Sequence, residues 1–319
     1  MTAGDSAPAR RYSACVVGCG VIGAQAEADP IRPKPASHAG AWAGHPQVDL
    51  LAVADLDVRR GREASAVLGL PYHYDSAELM LDLIRPHIVS VATPPDSHAA
   101  MVSEVCRRRP LAVVCEKPLA RSSGEARSIV EACRAAGVRL FVNHLRRFDP
   151  ALRREAARLG GIVGVPRTAV GWYTGRLREG GTHMVDLMRM FLGEAEILGA
   201  SGGDALLAFA SGARGALLGH ELGEHALFEL AVTGSEGRLT LSRAGLDITW
   251  ERAADGYPLA AGYRHLAPNG AWADQAPRSF FRAMAEHVVA VLEGREEPVS
   301  TGEDGVAALE IIEEIEAKG

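Results

Sequence analysis

The chain has 319 residues, of which 47% are hydrophobic and 23% charged, so it has the composition of a globular protein and a length that favours two domains. A net charge of −6 gives no electrostatic reason to expect nucleic acid or an anionic membrane as a partner. The five cysteines are odd in number and lack C-x-x-C spacing, which favours reduced thiols and indicates no metal site. The short polar N-terminus resembles no signal peptide and no apolar run reaches bilayer length, so we expect a soluble, cytoplasmic protein.

Short apolar runs alternate with helical segments through the first half of the chain. Strands are predicted at 14–17, 48–55, 87–93, 111–117 and 139–144, with helices such as 57–68, 96–109 and 123–136 between them. Continuous apolar strands separated by helices are typical of a doubly wound parallel sheet covered on both faces. We expect this first α/β domain to span residues 1–146.

The second half of the chain follows a different pattern. Runs such as "ALLAFAS" at 205–211 are separated by short Gly/Ser turns, which favours an open, mostly antiparallel sheet. Helices are predicted from Gly181 to Leu192, from Pro277 to Glu293 and over the last 19 residues. These elements predict a second α/β domain over residues 147–319.

A glycine-rich segment follows the first predicted strand. Gly18, Gly20 and Gly23 have G-x-G-x-x-G spacing at the start of a helix, and Val21 and Ile22 complete the loop. The first glycine permits the tight turn, the second lets a pyrophosphate approach the backbone, and the third lets helix and strand pack closely. Because helix N–H groups then face the phosphates, the segment predicts a dinucleotide site.

Asp55 ends the second predicted strand and is the expected acidic partner of this loop. Asp55 follows Gly20 by 35 residues, where about 20 is usual, and prolines between 30 and 35 indicate an insertion that explains the difference. A carboxylate here accepts hydrogen bonds from the adenosine ribose and repels a 2′-phosphate, which favours NAD. The nearby Arg59 and Arg60 keep NADP possible.

Polar residues also follow the third and fourth predicted strands. "ATPPDSH" contains Thr93, Pro94 and His98, and "CEKPLA" contains Glu116 and Lys117. Ligands of doubly wound sheets bind outside the carboxyl ends of the strands, so these residues are candidate coenzyme contacts. The structural alternatives are turn chemistry for His98, and for Lys117 a strand-end ion pair with Glu116 or another carboxylate.

Taken in order, these motifs and the later "GGTHMVDLMRMFLG" resemble the glucose–fructose oxidoreductase / inositol dehydrogenase / MocA (Gfo/Idh/MocA) family. The resemblance implies a Rossmann domain followed by an α/β domain, and oxidation of a sugar or cyclitol alcohol, or reduction of the matching ketone, with NAD(P). It implies that Lys117 lies near both nicotinamide and substrate, where an ammonium can stabilise a developing alkoxide. It also implies a homodimer or homotetramer that pairs through the C-terminal sheet.

Family members commonly carry an aspartate followed four residues later by a histidine. Asp186 matches the aspartate, but Met190 stands four residues on, and His183 precedes Asp186 by three. Both spacings place side chains on one helical face, so we hypothesise that His183 removes the hydroxyl proton while Asp186 orients it or binds a neighbouring hydroxyl. The alternative is that His183 caps the helix while Asp186 and Lys117 form the working pair.

Further candidates lie around the domain junction. Asn143 and His144 are predicted to contact substrate, and Arg146 or Arg147 either binds an anionic substrate group or ties the domains together. Tyr173 is a candidate for stacking on a sugar, although an aromatic on a sheet face is more often core.

Two other functions remain open on the same fold. Some relatives hold NAD tightly and cleave glycosidic bonds with no net redox change, and a non-catalytic ligand sensor is also compatible with the fold. The presence of both Lys117 and Asp186 argues against the sensor.

Overall fold

The computed structural model describes residues 11–220, 225–256, 262–268 and 278–319. Its strands are β1 (Tyr12–Val17), β2 (Val48–Ala54), β3 (His73–Tyr74), β4 (Ile88–Val91), β5 (Ala112–Cys115), β6 (Arg139–Val142), β7 (Pro166–Thr174), β8 (Ala195–Ser201), β9 (Asp204–Phe209), β10 (Arg214–His220), β11 (Phe228–Gly234), β12 (Gly237–Ser242), β13 (Asp247–Ala254) and β14 (His265–Pro268). Its helices are α1 (His38–Ala43), α2 (Val58–Leu68), α3 (Ala77–Ile84), α4 (His98–Arg107), α5 (Ser123–Ala136), α6 (Leu145–Phe148), α7 (Pro150–Ala157), α8 (Leu159–Val163), α9 (Thr182–Leu192), α10 (Phe280–Leu292) and α11 (Gly302–Lys318).

The chain divides into two compact units. Unit 1 runs to Glu116 and adds Ser128–Asn143 and Ser279–Gly302, and unit 2 contains Lys117–Arg127, His144–Arg278 and Glu303–Gly319. The boundary after residue 146 stays a prediction. Within the described residues, no helix has the length and hydrophobicity that a bilayer crossing requires.

Unit 1 is built on a six-stranded parallel sheet. Its order is β3-β2-β1-β4-β5-β6, and β4 and β5 are buried along their whole length, as expected for central strands covered by helices on both faces. The strand order reverses between β1 and β4, and ligands of such sheets bind at the carboxyl ends beside this point. The predicted doubly wound sheet is confirmed, whereas β3, with only two residues, was too short to predict from an apolar run.

The predicted insertion is looped out of the first helix after the glycine segment. The amides of His38 and Ala39 donate to the carbonyls of Ile22 and Gly23 at 3.0 Å each. These bonds span 16 positions where an α-helix spans four, so twelve residues are extra. Removing twelve residues from the 35 between Gly20 and Asp55 leaves 23, which is close to the usual spacing of about 20.

Unit 2 is built on an eight-stranded sheet that is antiparallel apart from the β7–β10 pair. Its order is β14-β13-β12-β11-β7-β10-β9-β8, so the predicted mostly antiparallel sheet is also confirmed. Helix α9 packs on the buried face of β7. A Cβ at Gly171 would lie 2.7 Å from Met184 and 2.9 Å from Met188, so the absence of a side chain at Gly171 lets α9 approach the strand.

The helices predicted near the chain's end are present with shifted bounds. The predicted start at Pro277 lies outside the described residues, and α10 runs from Phe280 with Ser279 as its N-cap, whose hydroxyl accepts the amide of Arg282. Helix α11 follows at Gly302–Lys318.

Candidate active site

The three glycines of unit 1 each have a distinct geometry. Gly18 has φ +95°, and a Cβ there would lie 2.5 Å from the Ala92 carbonyl oxygen. A Cβ at Gly23 would lie 1.9 Å from the Gly18 oxygen, whereas among the described atoms nothing lies within 4 Å of a Cβ at Gly20. The loop is therefore closed where the backbone turns and open at Gly20, a shape that fits a pyrophosphate. Val21 beside it is 53% exposed.

Asp55 is fixed beside this loop by two backbone amides. Its Oδ2 accepts the amide of Cys19 at 2.7 Å and its Oδ1 accepts that of Asp57 at 2.8 Å. Each carboxylate oxygen has a second lone pair, so the group can still accept ribose hydroxyls. Asp55 and the glycine loop together fit the adenosine half of a dinucleotide.

The segment after β4 forms a compact turn. His98 is fully buried, and its Nε2 lies 2.8 Å from the Thr93 carbonyl oxygen, while the Thr93 hydroxyl accepts that of Ser97 at 2.7 Å. Pro94 precedes the 3₁₀ turn that leads into α4. The histidine therefore supports the turn from within, and Thr93 and Pro94 lie at the strand end where a coenzyme contact is predicted.

Glu116 and Asn143 complete the predicted residues of unit 1. They follow the adjacent strands β5 and β6, and the Asn143 amide nitrogen donates to Glu116 Oε1 at 2.5 Å. Asn143 itself is fully buried.

Lys117 and His183 both belong to unit 2, together with His144. The Lys117 ammonium donates to the Glu179 carbonyl oxygen at 3.3 Å. The rings of His144 and His183 meet edge to face with centroids 6.3 Å apart, and the Phe228 ring lies 6.5 Å from His183 on another side. The structure thus brings a cation and two imidazoles together in one unit.

Asp186 contacts His144 and an arginine network. Its Oδ1 accepts Arg147 Nε at 2.7 Å, and its Oδ2 lies 3.8 Å from His144 Nδ1. Arg147 also pairs with Asp304 at 2.9 Å, and the buried Arg189 lies 3.9 Å from Asp186. Asp186 therefore bonds to Arg147 and lies within ion-pair distance of His144, and its orienting role toward His183 stays a prediction.

The surroundings of the two histidines hold both imidazoles neutral at neutral pH. Burial and then the positive charges of Lys117 and Arg146 lower the pKa of His183 well below its ordinary value. Burial also lowers the pKa of His144, and the Asp186 carboxylate opposes that shift. A neutral imidazole beside an ammonium can accept a proton while the ammonium stabilises negative charge on oxygen.

The start of helix α9 bears on the alternative in which His183 caps this helix. Among the described residues no side chain caps its start, because it continues from a π-helical turn at Leu177–Gly181. The turn carries Glu179, four residues before His183, a spacing that matches the family's carboxylate–histidine pair and that our sequence reading missed. A search for any acidic residue four positions before a histidine would have found it.

Two candidates from the junction lie in structural settings. Tyr173 is buried on the inner face of β7, its hydroxyl donates to the Gly203 oxygen at 3.0 Å, and burial raises its pKa to about 12. The Arg146 guanidinium lies 3.7 Å over the Phe228 ring and donates to the Ala244 oxygen. Sugar stacking by Tyr173 and anion binding by Arg146 stay predictions.

Comparison with known proteins identifies the first half of the chain. Residues 13–144 match the model of an oxidoreductase family with an NAD-binding Rossmann fold, GFO_IDH_MocA. This part of the chain belongs to the Gfo/Idh/MocA family. The resemblance read from the sequence is confirmed, and the chain is an oxidoreductase that uses a nicotinamide coenzyme.

One relative and one solved structure extend the similarity to nearly the whole chain. A D-apiose dehydrogenase of Paraburkholderia graminis is 25% identical over 95% of this chain and 86% of that protein. An inositol 2-dehydrogenase of Rubrobacter xylanophilus is 38% identical, but the match covers only 40% of this chain and 37% of that enzyme. The WlbA dehydrogenase of Bordetella pertussis, solved with NADH and UDP-GlcNAcA, shares the fold with a TM-score of 0.74 at 20% identity, over 97% of this chain and 96% of that one.

Proposed function

We propose that this Gfo/Idh/MocA protein is a dehydrogenase that interconverts a secondary alcohol and a ketone on a sugar, cyclitol or related polyhydroxylated molecule. The observation that carries the proposal is the group of Lys117, His183 and His144 in unit 2. Two of its members, Lys117 and His144, directly follow Glu116 and Asn143 of unit 1 in the chain. The names of the apiose and inositol dehydrogenases support the substrate class.

In the proposed reaction, His183 and Lys117 act on the hydroxyl group, and the coenzyme takes part in the hydride transfer. A bound nicotinamide coenzyme supplies the hydride acceptor or donor. His183, kept neutral by its surroundings, accepts the hydroxyl proton of an alcohol, and Lys117 hydrogen-bonds the same oxygen and stabilises its negative charge. In ketone reduction the imidazolium returns the proton.

Carboxylates support the two histidines in this proposal. The Asp186 carboxylate, 3.8 Å from His144 Nδ1, acts on that imidazole through its charge, and the His144 ring in turn packs against His183. Glu179 provides a carboxylate four residues before His183, on the turn whose carbonyl receives Lys117. Orientation of a base by a second group is the usual way in which such side chains are fixed.

NAD is the proposed coenzyme, with NADP as the alternative. The Asp55 carboxylate lies beside the glycine loop, where the family pattern puts the ribose, and a carboxylate there repels a 2′-phosphate. Titration calorimetry with both coenzymes measures the preference. Tighter binding of NADP than of NAD would contradict the assignment.

The activity test uses purified protein with NAD or NADP and a panel of apiose, inositols, aldoses and amino sugars. The expected result is formation of reduced coenzyme with a ketone or lactone product from a member of the panel. Glycoside cleavage without release of NADH would instead support the non-redox alternative, and ligand binding without turnover would support a sensor. Binding of neither coenzyme in calorimetry would overturn the proposal.

We also propose that unit 2 pairs with a second copy through the outer face of its sheet. Leu206, 58% exposed, pairs in register with Ala216 on that face, where Leu218 pairs with Trp172. Such a face buries well against its own copy. Sedimentation showing only a 33.8 kDa species would contradict pairing.

A further inference from the structure

We propose that His38 and Asn143 are positioning residues that hold the Glu116 carboxylate at the nicotinamide end of the coenzyme site. His38 Nε2 lies 2.8 Å from Glu116 Oε1, and Asn143 Nδ2 donates to the same oxygen at 2.5 Å. The inference rests on the proposed coenzyme dependence and adds two residues to it.

The hydrogen bonds around Glu116 have one consistent assignment. Asn143 Nδ2 is always a donor, and among the described residues His38 Nδ1 has no hydrogen-bond partner. A proton on Nδ1 would therefore be buried without an acceptor, so we assign the His38 proton to Nε2, as donor to Glu116. With this assignment the 3.2 Å approach of Asn143 Nδ2 to His38 Nε2 is a contact between two donors that share the Glu116 oxygen. Two donors from different elements thus converge on one carboxylate oxygen, which fixes the rotamer of Glu116.

Burial separates the group that can contact a ligand from the groups behind it. The Glu116 side chain retains 13% of its surface, whereas His38 retains none and Asn143 is equally buried. A ligand at this strand end can therefore reach Glu116 but not the two donors. Their effect on a ligand must pass through the carboxylate.

Sheet order indicates which half of the coenzyme Glu116 faces. The Glu116 amide donates to the Val91 oxygen at 2.9 Å, so the residue lies at the carboxyl ends of β4 and β5. Asp55, at the adenosine end, follows β2 on the other side of β1. A dinucleotide whose pyrophosphate lies on the loop after β1 therefore extends its nicotinamide half toward Glu116.

His38 also connects this carboxylate to the glycine loop. Its amide donates to the Ile22 oxygen at 3.0 Å, which places it on the helical turn that resumes after the insertion. Its ring meets the Phe281 ring edge to face at 5.3 Å, so the imidazole has little freedom to move. A pyrophosphate that orders the loop thereby also orders the residue that holds Glu116.

The test compares NADH with ADP-ribose, which lacks the nicotinamide half, by titration calorimetry, with NADPH and 2′-phospho-ADP-ribose as the second pair. His38→Ala is expected to weaken binding of the reduced coenzyme by about tenfold, the factor expected when a charge-assisted hydrogen bond loses its orientation. ADP-ribose affinity is expected to stay within about threefold. His38→Gln, which retains an N–H donor, should restore most of the NADH affinity, and Asn143→Ala should resemble His38→Ala.

His287→Ala is the matched control because His287 is another buried histidine of unit 1 that pairs with a glutamate. His287 Nδ1 lies 2.9 Å from Glu296 Oε2, and its ring meets the Phe141 ring edge to face at 6.2 Å. His287→Ala should lower the free energy of unfolding and leave the affinities for NADH and ADP-ribose unchanged. The inference would be overturned if His38→Ala and His38→Gln lost affinity for NADH and for ADP-ribose equally, or if neither variant lost affinity. In both cases coenzyme binding by the wild-type protein would leave the proposed function standing. A wild-type protein that binds neither NADH nor ADP-ribose would contradict both the inference and the proposed function.

Discussion

Replacement of His183 by asparagine separates the proposed base from a structural role. The substitution removes the ring nitrogen that accepts the proton, and loss of a general base lowers kcat by about 10²- to 10⁴-fold, or about 3–5 kcal/mol of barrier. The structural cost is smaller. The ring makes two edge contacts, at 6.3 Å to His144 and 6.5 Å to Phe228, and each such contact contributes about 1 kcal/mol or less.

The assay is steady-state turnover of the best substrate with saturating coenzyme, alongside urea unfolding and coenzyme titration. We expect a folded variant of His183→Asn with unchanged coenzyme affinity and little turnover. His220→Asn, at the exposed last residue of β10 in the same unit, is the matched control and should retain turnover. Near-normal turnover of His183→Asn would refute the base and favour Lys117 with a carboxylate as the working pair.

The remaining predictions concern charge and the glycine loop. Because the pKa of His183 is lowered, turnover should persist as pH falls through the ordinary histidine value of about 6.5 and should decline only below it. Lys117→Met removes a positive charge that lowers this pKa, so NMR titration of the His183 ring should show a higher pKa in the variant. Gly23→Ala places a Cβ 1.9 Å from a backbone oxygen and should abolish coenzyme binding in calorimetry, whereas Gly160→Ala, with nothing within 4 Å among the described atoms, should not. Asp55→Ser removes the repulsion of a 2′-phosphate and should raise the ratio of NADP to NAD affinity, and an unchanged ratio would show that Asp55 does not select the coenzyme.

The main features of unit 1 follow from local sequence. Buried parallel strands are continuous apolar runs, and the glycine spacing requires a particular turn, so both are readable without tertiary information. The prolines near residue 33 indicated the insertion correctly. Its closure could not be read, because the hydrogen bonds from His38 to Ile22 and from Ala39 to Gly23 join residues that are 16 positions apart.

The partners of the charged residues could not be predicted in the same way. Helical spacing correctly assigns His183 and Asp186 to one helix, but it gives a face and not the neighbour that the face meets. Arg147 and His144, which contact Asp186, come from α6 and its N-cap. The contacts of Asp186 are therefore set by tertiary packing, and its predicted role toward His183 stays a prediction.

The surroundings of Asp186 and Glu179 assign different roles to these two carboxylates. The Asp186 side chain is 3% exposed and pairs with Arg147, so Asp186→Asn leaves buried positive charge and should lower the free energy of unfolding by about 3 kcal/mol, with Asp304 compensating in part. Glu179 is exposed, so Glu179→Gln should leave stability unchanged and lower turnover. Urea unfolding and kcat, measured on both variants, check this division. A large stability loss in Glu179→Gln, or full stability in Asp186→Asn, would reverse the assignment. A buried and arginine-paired carboxylate holds the fold, whereas an exposed carboxylate, on the turn whose backbone carbonyl receives Lys117, remains available to the reaction.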